Sequence, residues 1–361
     1  MRIAEVAPLY EAVPPKLYGG TERVVSYLTE ELVALGHDVT LFASADSITD
    51  ARLVGVCPRA LRLDGACTDT NGPHVLLMET VMAQAEDFDV IHFHLDYFHY
   101  SFARRSEVPV LTTLHGRQDL HDMAELYREF DDVALVSISD AQRAPLPWAN
   151  WIGTVHHGLP LGLLRASERP GGYLAFIGRF SPEKRFDRAV DIARATGLPL
   201  KAAAKADPKD SAYFEAVIRP LLADPLVEWV GEIGEGDKEA FLGGALAHLF
   251  PVDWPEPFGL VMIEAMACGT PTIAWPCGSV PEIIDEGVTG YVVDSIAAAA
   301  AAVERCRGFD RRRCRRAFER RFSARRMAGD YLALYRRAAA SNRLPALRPA
   351  MGGPAIGDLA E

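Results

Sequence analysis

The sequence predicts an α/β protein whose two halves each carry their own parallel sheet. Three observations lead there. A strand, a loop, a helix, a glycine and a second strand follow one another twice, once near the start and once near the middle. Strand-like and helix-like runs alternate along most of the chain, the pattern of a parallel sheet covered by helices. The 361 residues suit two domains, at roughly 100–200 residues each.

The first copy opens with a buried strand over 2–8 (RIAEVAP) and a loop containing Gly19 and Gly20. Val24, Val25, Leu28, Leu32 and Leu35 then recur at helical spacing over 21–35, Gly36 closes the helix, and 37–43 is the second strand. In the second copy 173–178 (YLAFIG) is the strand, 183–196 the helix, Gly197 its end, and 198–204 the next strand. Further strands are predicted at 90–94, 109–115 and 133–137 in the first half, and at 227–230, 247–250, 272–274 and 291–293 in the second. Two separate Rossmann-like domains follow, rather than one long sheet. The Pro-, Gly- and charge-bearing stretch 159–172 is the candidate linker, and the Pro-, Gly- and Ala-rich end, 341–361, is expected to be disordered.

Composition excludes some functions. The formal charge is -11, yet residues 301–340 hold 13 arginines against Glu304, Asp310, Glu319 and Asp330, so the remainder is near -20. An acidic body argues against general nucleic-acid binding. The arginine segment reads as a solvated helical face, with a peripheral membrane contact through 305–326 as a further possibility. None of the six cysteines forms a CxxC pair, no signal peptide is evident, and no apolar run reaches bilayer length; a cytoplasmic protein is expected.

The chemistry concentrates at four places. The stretch EPFGLVMIEAMACG places Glu264 inside an otherwise apolar helix ending at Gly269. A buried carboxylate is costly unless it is paired or accepts hydrogen bonds; a cation or two adjacent ribose hydroxyls would satisfy it. Glu256 precedes that helix, and the amides of Phe258, Gly259 and Leu260 form its open start, which favours anions. In the loop 178–187, Arg179 follows a strand and Lys184 falls in the first turn of the next helix, where a cation makes most sense beside a polyanion. Gly19 and Gly20 would let backbone approach a ligand, although no GxGxxG is present. His92 and His94 alternate on a strand without evident further metal ligands, and His115 ends a strand facing the cleft.

Together these segments resemble glycosyltransferase family 4, the retaining GT-B enzymes that use nucleotide sugars. The resemblance runs to about Arg337. It rests most on Glu256 and Glu264, separated by seven residues, and on the loop Gly178-Arg179-Phe180-Ser181-Pro182-Glu183-Lys184 through Asp187. Gly19-Gly20-Thr21-Glu22, the run 89–94 (DVIHFH), Thr113-Leu114-His115-Gly116 and the closing pattern from Phe322 to Tyr335 add to it.

The resemblance implies an acceptor-binding domain over 1–165, a nucleotide-sugar domain over 166–321, and a final helix over about 322–340 crossing back onto the first domain. It further implies that Glu264 holds ribose, Glu256 holds sugar hydroxyls, Arg179 and Lys184 neutralise the diphosphate, and His115 lies beside sugar and acceptor. Gly19 and Gly20 would adjoin the donor, and Tyr18, His94 and Tyr97 would line the acceptor cleft. The expected reaction is retaining hexosyl transfer, with UDP-glucose as donor, needing neither cofactor nor metal. Alternatives are a UDP-sugar epimerase or hydrolase on the same fold, and a non-catalytic nucleotide-sugar-binding protein. Acceptor and oligomeric state are left open.

Overall fold

The computed structural model describes residues 1–16 and 19–341. Tyr18 and residues 342–361 lie outside the described residues, and with them the expectation of a disordered tail, apart from Ser341 at the end of the last helix.

Two parallel sheets form the body. The first contains β1 (Arg2–Val6), β2 (Asp38–Ala43), β3 (Arg52–Gly55), β4 (Val90–Phe93), β5 (Val110–Thr113), β6 (Leu135–Ser137) and β7 (Trp151–Thr154), in the order β3-β2-β1-β4-β5-β6-β7. The second contains β8 (Leu174–Arg179), β9 (Leu200–Lys205), β10 (Val227–Gly231), β11 (Ala247–Phe250), β12 (Thr272–Ala274) and β13 (Gly290–Val292), in the order β10-β9-β8-β11-β12-β13. Each sheet starts at an inner strand, grows to one side and then reverses, between β1 and β4 and between β8 and β11. An open parallel sheet binds ligands beyond the carboxyl ends of its strands at such a reversal.

The helices follow the apolar spacing. Gly20–Ala34 buries Val24, Val25, Leu28 and Leu32, and Gly36 turns the chain at φ 83°. Leu260–Ala267 is apolar on all sides and is buried from Met262 to Ala267. One boundary differs from expectation. The α-helix expected over 183–196 is Phe186–Thr196; Pro182–Lys184 is a single 3-10 turn, and Arg185 separates the two in the left-handed region at φ 51°. Lys184 therefore sits ahead of the α-helix rather than in its first turn.

The chain passes between the sheets twice, and the two passages pair. Leu159 donates its amide to the Phe322 carbonyl and accepts from the Ala324 amide, at 2.9 and 2.8 Å. Ala324–Ser341 then packs against Gly20–Ala34 and β4 of the first half. Tyr331 and Tyr335, both fully buried, hydrogen-bond Thr113 and Glu5 there, which ties the C-terminal helix to β5 and β1.

The arginine segment divides between internal partners and an exposed face. Arg311 is buried and donates to the carbonyls of Ser167, Gly243 and Ala245. Arg315 donates to Leu161, Leu164 and Ala267, and Arg326 to His156 and His157. Arg307, Arg312 and Arg316 pair with Glu304, Glu168 and Asp310. A helix-rich segment that must clamp two linkers needs donors for exposed carbonyls, and arginine supplies several per residue. Internal clamping accounts for Arg311, Arg315 and Arg326, whereas Arg305, Arg307, Arg312, Arg313, Arg316, Arg320 and Arg325 are exposed and form the solvated helical face the sequence suggested.

Candidate active site

Loops at the carboxyl ends of the inner strands face each other across the two halves. Gly19 lies over Glu11 and Pro15: a Cβ there would come within 3.2 Å of the Glu11 side chain and 2.7 Å of Pro15. A Cβ on Gly20 would stand 3.7 Å from the Leu260 side chain. The glycine loop after β1 thus meets the helix start after β11. Gly259 occupies φ 79°, and Cβ space there is blocked by Met262 and Phe250 at 2.8 and 3.0 Å, so glycine is required. Phe258, beside it, packs edge-on against His157, with ring centroids 4.7 Å apart.

The two acids of the EPFG…E stretch both take lysines. Glu256 accepts from Lys184 Nζ at 2.5 Å and from Trp254 Nε1 at 2.9 Å. The Lys184 ammonium also lies over the Trp254 ring, 5.1 Å from its centroid. Glu264, whose side chain is 4% exposed, accepts from Lys238 Nζ at 2.6 Å. Lys238 stands on the helix Glu235–Gly243 and was absent from the sequence-based site. Its only signal was a lysine in a glycine- and acid-rich run, GEGDKEAF, which carries no spacing rule. A buried carboxylate must be paired, and here the partner is a lysine. A ribose at Glu264 must therefore join or displace Lys238. Arg179, at the end of β8, bonds Glu183 at 3.2 Å and lies 3.9 Å from Asp210.

Across the cleft a polar chain runs through the first sheet. Glu5, His92 and His94 are buried, with possible ligand atoms within 4.8 Å of one another. Sequence reasoning found the two histidines and missed Glu5, because it reaches them only through the pairing of β1 with β4. Each of their imidazole nitrogens already has a protein partner. His92 bonds the Tyr335 and Thr113 hydroxyls at 2.7 Å each, and His94 bonds Glu5 at 2.8 Å and His115 at 2.9 Å.

Burial alone would raise the Glu5 carboxyl, but His92 and His94 outweigh it and hold it down to about 2. Burial, reinforced by the His92 charge, lowers His94 to about 4. His115 is likewise held well below its ordinary value, by burial first and then by neighbouring histidines.

These protonation states fix the tautomers. Ionised Glu5 can only accept, so His94 Nε2 donates and its Nδ1 accepts from His115 Nε2–H. His115 Nδ1 then carries a lone pair, and it has no hydrogen-bond partner. His115 is half-buried at the end of β5, stacked on His157 with centroids 5.3 Å apart. His94, expected to line the acceptor cleft, is instead 3% exposed behind His115; its two ring nitrogens are used inside the sheet. Tyr97 is 39% exposed and stacks on Phe98. Beside the glycine loop, burial pushes the Glu22 carboxyl up to about 7, against the pull of Arg62 and with the push of Glu11.

A family profile described as "Glycosyltransferase Family 4" matches residues 18–190, and one described as "Glycosyl transferases group 1" matches residues 166–309. The chain belongs to glycosyltransferase family 4. Among curated family members, a D-inositol 3-phosphate glycosyltransferase of Mycolicibacterium smegmatis is 26% identical over 341 residues, covering 76% of this chain and 75% of that one. Among solved structures, AviGT4, a glycosyltransferase involved in avilamycin A biosynthesis, is 25% identical with a TM-score of 0.70, covering 94% of this chain and 98% of its own. Anabaena Alr3699/HepE, solved in complex with UDP and glucose, shares the fold at 16% identity and TM-score 0.71, over 92% of this chain and 99% of its own. The two facing parallel α/β units are the GT-B architecture, and this family 4 chain is a glycosyltransferase of that type. Among the described residues no helix is long and apolar enough to cross a membrane.

Proposed function

We propose that the chain moves a hexosyl group from a nucleoside-diphosphate sugar to an acceptor hydroxyl, with retention and without a metal. One observation carries this reading. Arg179, Lys184, Glu256 and the start of the helix Leu260–Ala267 converge where the second sheet reverses, while His115, after β5, bonds His94 at the end of β4, one strand from where the first does. Leaving-group departure builds charge on the diphosphate, and fixed cations with helix-start amides stabilise it as it forms. Glu256, already holding Lys184, would accept from sugar hydroxyls, and Glu264 from the ribose. His115, at the end of β5, would lie beside the sugar and the acceptor. The reading favours attack by the acceptor on the face the diphosphate leaves. UDP-glucose is the donor to try first, since a protein of the same fold was captured with UDP and glucose.

The test is donor turnover by wild type and Lys184→Ala, with UDP, GDP and ADP sugars and a broad acceptor panel, reading product anomeric configuration by NMR. Lys184→Ala should lose on the order of 10²–10³ in kcat, as removal of one donor to a developing oxyanion does. Equal rates would remove Lys184 from the chemistry. Inverted product, or epimerised or free sugar as the main product, would replace the reading.

A further inference from the structure

The net charge of the chain lies on one side. Residues 1–165 hold 12 lysines and arginines against 23 aspartates and glutamates, a formal charge of -11, whereas residues 166–361 hold 26 of each. The half that carries Lys184 and Glu256 is balanced, and the half left for the acceptor repels anions.

Asp96 gives that field a focus. It follows β4, two residues after His94, beside the reversal of the first sheet, where an open parallel sheet takes its ligand. His94 bonds His115, so Asp96 adjoins the strand ends that face the donor half. Asp96 is exposed, yet enough protein surrounds it for burial to raise its carboxyl, and no lysine or arginine is near enough to lower it. A group that is open to solvent and crowded at once lies on the floor of a hollow, not on a convex surface. Its neighbours do not serve it. Burial raises the phenols of Tyr100 and Tyr127, and the Asp96 charge adds to it, so both rings stand close. Tyr127 nevertheless donates to Gln118 Oε1 at 2.7 Å, and the buried Tyr100 hydroxyl has no hydrogen-bond partner. Glu5 takes His94 and Asp119 takes Arg117. Among the described residues the Asp96 carboxylate has neither ion pair nor hydrogen bond. An unpaired carboxylate in a hollow is stabilised best by a cation that the ligand brings. Tyr97, the next residue, is 39% exposed and backed by Phe98, which stacks in turn on His74, with ring centroids 5.4 and 5.2 Å apart. A fixed phenol ring beside a carboxylate suits an ammonium, which gains from the charge of one and the π face of the other.

We propose that Asp96 is an acceptor-binding residue, and that the acceptor is a hydroxylated molecule carrying an amino group, whose ammonium Asp96 holds beside Tyr97. The idea rests on the transfer reading above. It gives the acidic half a purpose: a cationic acceptor is drawn to the cleft and an anionic one is turned away.

The experiment is ligand-observed NMR on the full chain with glucosamine, 2-deoxystreptamine, glucose and glucose 6-phosphate as probes. Each is titrated with and without whichever of UDP, GDP and ADP binds, for wild type, Asp96→Asn and Asp96→Glu. At least one amino probe should bind wild type about tenfold or more tightly than glucose, the worth of one charge-assisted contact. Glucose 6-phosphate should bind no better than glucose. Asp96→Asn keeps the shape of the side chain and removes its charge. It should lose the preference for the amino probe, with nucleotide affinity and glucose binding unmoved, and Asp96→Glu should restore part of it. The thermal midpoint of Asp96→Asn should not fall, because no protein group loses a partner; a marked fall would make the residue structural and overturn the proposal. Amino probes that bind no better than glucose, an Asp96→Asn variant that keeps the preference, or glucose 6-phosphate that binds as tightly as the amino probe also overturns it. A chain that binds a nucleotide and shows no preference for amino probes loses this proposal alone. A chain that binds none of the three nucleotides loses the transfer reading and this proposal with it.

Discussion

Glu5, His94 and His115 admit one consistent set of protons, and the consequence is measurable in stability. His94 is lowered to about 4 and His157 to about 3, in both cases by burial first, with charged neighbours adding to it. An unfolded histidine titrates near 6.5. Between that value and the folded values, the unfolded chain binds protons that the folded chain refuses. Stability therefore falls as pH drops below about 6.5, by about 1.4 kcal/mol per pH unit for each such group. Glu5 acts at lower pH with the same sign. Its folded value of about 2 contributes stability that is complete above the usual carboxylate range and lost as pH falls toward 2. The thermal midpoint should drop markedly between about pH 7 and pH 5, well before ordinary surface carboxylates protonate. A flat midpoint across that interval would show that the imidazoles are not held neutral, and the tautomer assignment that leaves a lone pair on His115 would fail with it.

At the scale of elements, the geometry of the Glu256 loop is set from outside it. Gly278 follows β12 at φ 58°, and a Cβ there would lie 2.3 Å from the Glu256 carbonyl oxygen and 2.4 Å from its amide nitrogen. Both are backbone atoms that cannot rotate away. Gly278→Ala must therefore push the Pro255-Glu256 segment, besides the roughly 1 kcal/mol or more that a left-handed alanine costs. Because Lys184 is bonded to Glu256, the cation proposed for the diphosphate should move with the loop. Transfer should fall at least about tenfold, as sub-ångström misplacement does, with the circular dichroism spectrum retained. Wild-type rates in this variant would show that the loop has slack and that Glu256 does not set the position of Lys184. The passages between halves are similarly constrained: a Cβ on Gly158 would stand 2.3 Å from the Ser323 carbonyl oxygen, so that pairing tolerates no side chain.

Across the whole molecule, what the sequence made legible is what lies close in the chain. The strand, loop and helix of 174–196 and the acids flanking Gly259 could be read because the spacing itself carries the geometry. The strands β3 and β7 were not anticipated: each has four residues, and none of them is fully buried, so apolar periodicity is too faint to mark them. The pairs Lys238–Glu264 and Glu5–His94 were invisible because sheet pairing and helix docking, not spacing, bring them together.

The same holds for the contact that joins the halves. Glu235 accepts from the Tyr27 hydroxyl and pairs with Arg23 Nη1 at 2.7 Å, so the helix that carries Lys238 is fastened to the first domain's helix. Glu282 does likewise from the other side of the cleft, accepting from the Asp140 and Ala141 amides at 2.8 and 2.7 Å. The Arg23 side chain is 8% exposed and that of Glu235 31%, so this latch is only partly screened by solvent. Losing it is worth about 1–2 kcal/mol, which shifts a two-state closing equilibrium by about 5–30-fold. Global stability should barely register the change, since neither core is touched. Glu235→Gln keeps the shape of the side chain and removes its charge. It should enlarge the radius of gyration seen by X-ray scattering and lower kcat by about tenfold at ordinary salt. In wild type, high salt should move both quantities in the same direction, and in the variant by much less. Unchanged scattering and unchanged turnover in Glu235→Gln would mean that the halves are held without this pair, by the Glu282 contacts, their two linkers and the returning C-terminal helix, and that Lys238 answers to Glu264 without reference to the opposite domain.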